Sequence, residues 1–187
     1  MAGTGIILLR WMGEAPLDGG ALERIRGQVE TVFAVPTHVQ VVNGRPGDSL
    51  DPRRGQHSST KLLRWILASG LPAGAKVLGV TDVDLFIPVL TFVFGEAQLG
   101  GPAAVVSLAR LRRTYDDRPA PEVTIEGRLL KECLHELGHT FGLAHCADGA
   151  CVMSRSNSVL DVDRKRAAFC RDCRLRLRGL SEEAEGS

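Results

Sequence analysis

HELGHTFGLAH, residues 135 to 145, is the stretch on which the reading of this chain turns. Residues four apart on an α-helix share a face, because each step rotates by about 100°. His135 and His139 can therefore grip one ion, while Glu136 projects to the side of that pair, where it reaches a metal-bound water and not the metal. Gly142 permits a turn that ends the helix, since glycine enters the left-handed region without steric cost. Three residues later His145 can come back as a third ligand. Three neutral imidazoles with one open position describe a catalytic zinc site better than a structural one, which usually fills all four positions with protein atoms. A bare HExxH arises by chance in about one chain of this size in several hundred, and the added glycine and histidine lower that by roughly three more orders of magnitude. The competing account is two histidines on a helix surface with satisfied hydrogen bonds.

The cysteines after His145 are the second signal. Cys146, Cys151, Cys170 and Cys173 read as a cysteine, four residues, a cysteine, eighteen residues and a CxxC pair. Four thiolates so spaced suit a closed tetrahedral zinc site. The alternative is a pair of disulfides, or unrelated thiols. The leading residues MAGTGIILLRWMGEAP have no basic n-region, long apolar core or cleavage site, so a reducing, cytoplasmic setting is expected, which favours metal. Because Cys146 follows His145 directly, an extended backbone there would point the two side chains to opposite sides, one toward each ion. The thiolate site would then be a scaffold for the third histidine. Cys133, about 200° around the helix from His135, is expected to face the core as a small hydrophobe.

Outward from the motif the chain alternates strand and helix. GIILLRWM (5 to 12) reads as a strand, LERIRGQVETVF (22 to 33) as a helix on Leu22, Ile25, Val29 and Val32 or Phe33, and THVQVV (37 to 42) as a strand. The glycine, proline and charge of residues 43 to 58 predict one long surface loop, followed by the helix STKLLRWILASG. Residues 76 to 86 predict a buried strand, 92 to 101 an edge strand and loop, 103 to 111 a strand, and EGRLLKECLHELGHTF the metal-bearing helix. This order argues for an α/β layer with a mostly parallel sheet. With 187 residues, 44% of them hydrophobic, the chain can bury roughly 70% of its unfolded surface as a single domain. No apolar run approaches a membrane span. The net charge of +1, from 23 basic and 22 acidic residues, gives no broad field for nucleic acid or membrane. Arg164, Lys165, Arg166, Arg171, Arg174, Arg176 and Arg178 crowd the last quarter, either as a solvated helix around the cysteines or as a surface for an acidic partner. Only the acidic SEEAEGS tail reads as disordered.

HELGHTFGLAH, then Cys146, Cys151 to Met153, Ser156 and the CRDC closing on Cys173, resembles the signature of the archaemetzincins, a branch of the metzincin metalloproteases. VLGVTDVDLFIPVLTFVFGEA (77 to 97) and SLARL (107 to 111) are also similar to that family. The gap before the CxxC pair is one residue shorter here than in the signature, a difference of loop length. The resemblance implies a metzincin-like twisted, mostly parallel sheet with one antiparallel edge strand, backing helices, an active-site helix and a small zinc-stabilised C-terminal lobe. A single catalytic domain would span 1 to 187. Its N-terminal subdomain (1 to 142) would hold the sheet and active-site helix, its C-terminal subdomain (143 to 180) the four cysteines, and 181 to 187 the tail. The resemblance also implies that Met153 forms a tight turn beneath the catalytic zinc; without it, a methionine is most often gap-filling core. By the same resemblance Phe92, Val93, Phe94, Gly95, Glu96 and Ala97 would form the strand that binds extended substrate. Unpaired backbone groups on an edge can pair with a peptide, though an ordinary edge strand guarded by a solvated Glu96 fits the residues equally.

The expected function is a zinc metallopeptidase of the HExxHxxGxxH type with two zinc ions per chain, one catalytic and one structural. The zinc-bound water would be activated by Glu136 as general base. The only tyrosine, Tyr115, lies upstream of the helix, so none stands beside the methionine turn. The expected partner is a peptide or unfolded polypeptide substrate, with no membrane, no nucleic acid and a monomeric state. The rival reading is a non-catalytic zinc protein that binds nucleic acid or a protein through its basic cysteine lobe; an intact Glu136 argues against it.

Overall fold

The computed structural model describes residues 5–14, 17, 20–42 and 44–185, with side chains described to Leu180. Five strands form the main sheet: β1 (Ile7–Trp11), β2 (Thr37–Val41), β5 (Lys76–Thr81), β7 (Gly95–Ala97) and β8 (Ala103–Ser107), in the order β2-β1-β5-β8-β7. All neighbours are parallel except β7, which runs antiparallel to β8 at the edge. The mostly parallel sheet with one antiparallel edge strand is the expected fold class.

Helices cover both faces, which is why β1, β5 and β8 read as nearly continuous apolar runs. Successive side chains alternate between faces. Ile7, Leu9 and Trp11 meet Leu22, Ile25, Val29 and Phe33 of α1 (Ala21–Phe33) and the apolar side of α3 (Glu122–Thr140). Leu8, Met12, Val77 and Val105 meet Leu62, Leu63 and Ile66 of α2 (Ser59–Ala68), whose start is capped by the Ser58 hydroxyl accepting from the Lys61 N–H. The C-terminal segment, with α4 (Val159–Arg164) and α5 (Arg171–Glu185), has no separate core. Val152, Met153, Phe169, Cys173 and Leu177 belong to the same cluster as α1 and α3. Among the described residues no helix is long and apolar enough to cross a membrane.

Four expectations are corrected. Residues 43 to 58 are not one loop: a 3₁₀ turn (Gly47–Ser49), β3 (Leu50–Asp51) and β4 (Gln56–Ser58) lie there, and only Asn43 falls outside the described residues. The partner of β4 is β6 (Leu85–Phe86), which completes a second sheet, β3-β4-β6. The predicted strand 76 to 86 is thus two strands in two sheets, broken at Asp82–Asp84. Strands of two or three residues are too short to show a period, and their pairing is settled nearly thirty residues away. The predicted strand 103 to 111 ends at Ser107. Residues 181–185 of the expected disordered tail continue α5, while 186 and 187 lie outside the described residues. Glutamate and alanine are good helix formers, and extending a helix already begun adds one hydrogen bond per residue.

The segment that follows the second sheet forms one wall of a cleft. After β6 the chain passes over Ile87–Val93 and returns to pair Val93 with Leu85. Arg54 of the β3–β4 turn donates to the carbonyls of Leu90 (2.9 Å) and Thr91 (3.1 Å), and the Arg110 guanidinium lies 4.0 Å from the centre of the Phe92 ring. This cationic bracing holds an apolar segment open beside β7.

Candidate metal centres and cleft

Helix α3 is apolar on one side and carries Glu132, His135, Glu136 and His139 on the other, at i, i+3, i+4 and i+7. It ends in a Schellman turn: the Gly142 N–H donates to the His139 carbonyl and the Leu143 N–H to the Gly138 carbonyl, both at 2.9 Å. Gly142 has a φ of 95°, which a side chain would oppose. The turn brings the Leu143 carbonyl back to accept from His139 Nδ1 at 2.7 Å, and His135 Nδ1 donates to the Val152 carbonyl at 2.8 Å.

With both Nδ1 protons committed to carbonyls, the two Nε2 atoms present lone pairs to each other across 3.2 Å. Two lone pairs at that distance repel unless a cation lies between them. Tetrahedral zinc with Zn–N near 2.05 Å sets its ligand nitrogens about 3.3 Å apart, so the spacing fits. His145 completes the group, with candidate ligand atoms of the three histidines all within 4.8 Å of one another. Burial lowers the pKa of all three rings, that of His145 to about 4 with help from His139 and Arg155, so each is held neutral, the form that ligates.

Glu136 is buried beside this group. Its carboxylate lies beneath the edge strand, where a Cβ on Gly95 would come within 2.6 Å of Oε1. Burial pushes its carboxyl well above the usual range, and the nearby Glu132 adds to the rise. A cleft of ≈ 720 Å³ opens over His135, Glu136, His139 and His145, walled by Ile87–Ala97 on one side and Arg155–Asn157 on the other. Of the six predicted strand residues 92–97, only Gly95–Ala97 are in β7, with Val93 in the bridge to β6 and Phe94 buried. Glu96 is not a solvated guard. It accepts from Ser59 Oγ (2.5 Å) and Thr60 Oγ1 (3.2 Å) at the start of α2, where the helix dipole favours a carboxylate.

Cys146, Cys151, Cys170 and Cys173 surround a second point, with Sγ atoms within 4.8 Å of one another and 3.8 Å between Cys146 and Cys170. A Zn–S length near 2.3 Å in a tetrahedron sets sulfurs about 3.8 Å apart. Backbone N–H groups of Asp148 and Cys170 point at Cys146 and Cys151 sulfurs, as they would at thiolates. Hydrogen bonding from Cys173 lowers the Cys170 thiol, which precedes the first turn of α5, while burial raises Cys151 and Cys173. His145 and its neighbour Cys146 do turn to different centres.

Met153 is fully buried at a turn in which the Ser154 N–H donates to the Cys151 carbonyl, and its own carbonyl accepts from the Cys146 N–H at 3.0 Å. Its sulfur lies against α3 at Gly138, where a Cβ would approach within 2.5 Å. Met153 is thus core, packed against α3. Cys133 faces the core, completely buried.

Sequence reasoning missed Glu132 and misjudged Lys165. Read as part of a solvated basic face, Lys165 instead has a fully buried side chain whose Nζ lies 3.2 Å from Glu132 Oε1 and 3.5 Å from His135 Nδ1. The i, i+3, i+4, i+7 polar stripe on α3 could have flagged Glu132. Nothing local distinguishes Lys165 from its neighbours.

The family model for peptidase family M54 matches residues 71–179. The archaemetzincin of Methanopyrus kandleri is 56% identical over 172 residues, 90% of this chain and 92% of that protein. A crystal structure of the archaemetzincin of Methanopyrus kandleri superposes with a TM-score of 0.82 at 36% identity, covering 97% of each chain. A zinc-dependent peptidase from Methanocorpusculum labreanum superposes with a TM-score of 0.78 at 30% identity, covering 91% of this chain and 99% of that one.

Proposed function

This chain belongs to the archaemetzincins, peptidase family M54, and from that premise we propose that it is a zinc metallopeptidase holding two zinc ions. His135, His139 and His145 would hold the catalytic ion and the four cysteines a structural one. The single observation that carries the reading is the pair of Nε2 lone pairs facing each other at 3.2 Å beside a buried carboxylate in an open cleft. Zinc in that position supplies Lewis acidity, lowering the pKa of water toward about 7 and polarising a peptide carbonyl.

The protein's own groups do the rest. Glu136 accepts the proton of the attacking water and passes it to the leaving amine. The outer edge of β7 pairs with an extended peptide or unfolded polypeptide backbone, which gives affinity with little side-chain selection. The Val152 and Leu143 carbonyls hold the first two rings in the ligating tautomer. Met153 supports the turn that carries His145 through its bond to Cys146. Four thiols ringed about one point support a reducing, cytoplasmic setting, and a monomer suffices, since every proposed group comes from one chain.

The test is metal counting on zinc-replenished protein together with cleavage of a fluorogenic peptide library. Two zinc ions per chain and cleavage that a chelator abolishes are expected; no cleavage at full zinc occupancy would refute the activity.

The thiolate centre is a scaffold in this reading, because Cys146 and Met153 join it to the His145 turn. Cys170→Ser should empty the cysteine centre and weaken zinc binding by the histidines by about 10- to 100-fold, the usual cost of losing supporting groups around a metal site. Competition with a chromophoric chelator measures it. Unchanged histidine-site affinity with the cysteine centre empty would dismiss the coupling.

A further inference from the structure

Arg155 stands two residues beyond Met153 and is the only cation among the described residues that line the cleft. The three acidic side chains there are engaged elsewhere: Glu96 with Ser59 and Thr60, Glu132 with Lys165, and Glu136 beneath Gly95. Among the described residues no carboxylate pairs with Arg155. Among the described residues its side chain makes one hydrogen bond, from Nε to His145 Nδ1 at 3.2 Å, and the residue is exposed, with no partner for either terminal nitrogen.

That hydrogen bond is at odds with the other two histidines. Arginine has only donors, so His145 Nδ1 is an acceptor here and the ring's proton sits on Nε2. Ligation through Nε2 needs the opposite tautomer, in which Nδ1 carries a proton and can no longer accept. The guanidinium is then released with all five donors free, at the rim of the cleft and beside the reacting centre. A planar fork of donors matches a carboxylate in two parallel hydrogen bonds.

We propose that Arg155 recognises a carboxylate of the peptide substrate, so that the cleft selects peptides bearing an acidic group on the His145 side of the scissile bond. The proposal rests on the peptidase reading for its ligand, though not for its chemistry. A carboxylate can come from an aspartate or glutamate side chain or from the peptide's own C-terminus, and both present the same two oxygens.

Pairs of fluorescent peptides decide it. Some pairs differ by glutamate or glutamine at each position around the cleaved bond, and one differs by a free or amidated C-terminus. Binding is read by anisotropy on zinc-loaded Glu136→Gln protein, which does not turn over, and KM and kcat are read on the wild type. In at least one pair the acidic member should bind about tenfold tighter and show a correspondingly lower KM. Which pair does so identifies the source of the carboxylate. Arg155→Gln should erase the difference by weakening only the acidic member, and Arg155→Lys should keep part of it. Equal binding within every pair, or a preference that survives Arg155→Gln, overturns the proposal. So does a variant whose kcat falls equally for both members at unchanged KM, which would put the guanidinium on the reacting carbonyl instead. Should no peptide be cleaved while the Arg155-dependent preference persists, the peptidase reading fails and the carboxylate site stands.

Discussion

Glu136→Gln lowers kcat/KM for peptide cleavage by about 10²–10⁴-fold or more, while leaving zinc at the histidine centre. Glutamine keeps the shape and one acceptor oxygen but cannot take up a proton at neutral pH, so the attacking water loses its base and the leaving amine its acid. The ligands are untouched, because Glu136 lies beneath β7 and is not among the three side chains whose ligand atoms converge. Single-turnover assays with zinc counted on the same sample measure both halves. A variant with wild-type rates would strip Glu136 of its role, and one that loses zinc would make it a ligand.

The same substitution has a second, independent consequence. Burial, aided by Glu132, raises the folded-state pKa of Glu136 well above its unfolded value, so the folded form prefers the proton. The stability this group contributes is complete below the unfolded pKa, about 4.3, and is lost as pH rises through the folded value. Metal-free Glu136→Gln protein should therefore melt higher than metal-free wild type at neutral pH, with the gap closing toward pH 4. The residue would thus exchange stability for chemistry.

Lys165→Met should destabilise the fold by about 3–5 kcal/mol, a drop in Tm of roughly 10 °C for a chain of this size. The ammonium is completely buried and Glu132 nearly so, and neither has water to fall back on. Removing the cation leaves a carboxylate in an apolar setting with only the 3.5 Å approach of Ser156 Oγ. Burial already raises the Glu132 carboxyl with Lys165 present, so the variant's deficit should shrink as the pH falls and the acid takes a proton. Replacing both partners, Glu132→Leu with Lys165→Met, should recover most of the loss, since a buried pair is often matched by apolar groups of similar size. Thermal melts of the two single variants and the double variant give the coupling directly. Additive losses would show that the two residues do not act as a pair.

The pair also explains how the C-terminal segment is held against α3. Lys165 follows α4, and Arg128 reaches the same segment from α3 through Asp163, with nitrogen to oxygen distances of 2.7 and 2.6 Å. Together with Lys131, which donates to the Val162 and Asp163 carbonyls, three cations join two stretches of chain that also share an apolar core. Glu132, where Lys165 is held, lies one helical turn before His135.

Much of the centre was legible from residues 135 to 145 and from the cysteine spacing, because both depend on local geometry. A helix puts positions four apart on one face whatever surrounds it, a glycine after the last turn ends it, and adjacent residues in extended chain diverge. The spacing of apolar residues likewise identified β1, α1, β2, α2 and the parallel sheet, since a strand buried on both faces leaves a continuous run and a helix buried on one face leaves a helical period. The tertiary structure alone decided that Lys165 points inward among seven basic residues, that Glu96 accepts from the hydroxyls of Ser59 and Thr60 at the start of α2, that Gly95 makes room for Glu136, and that three strands of two or three residues form a second sheet. Each of these depends on partners from about 30 to 40 residues away along the chain. Nearest-neighbour preferences carry no trace of such contacts, because their free energy comes from desolvation and charge pairing that exist only once the distant segments meet.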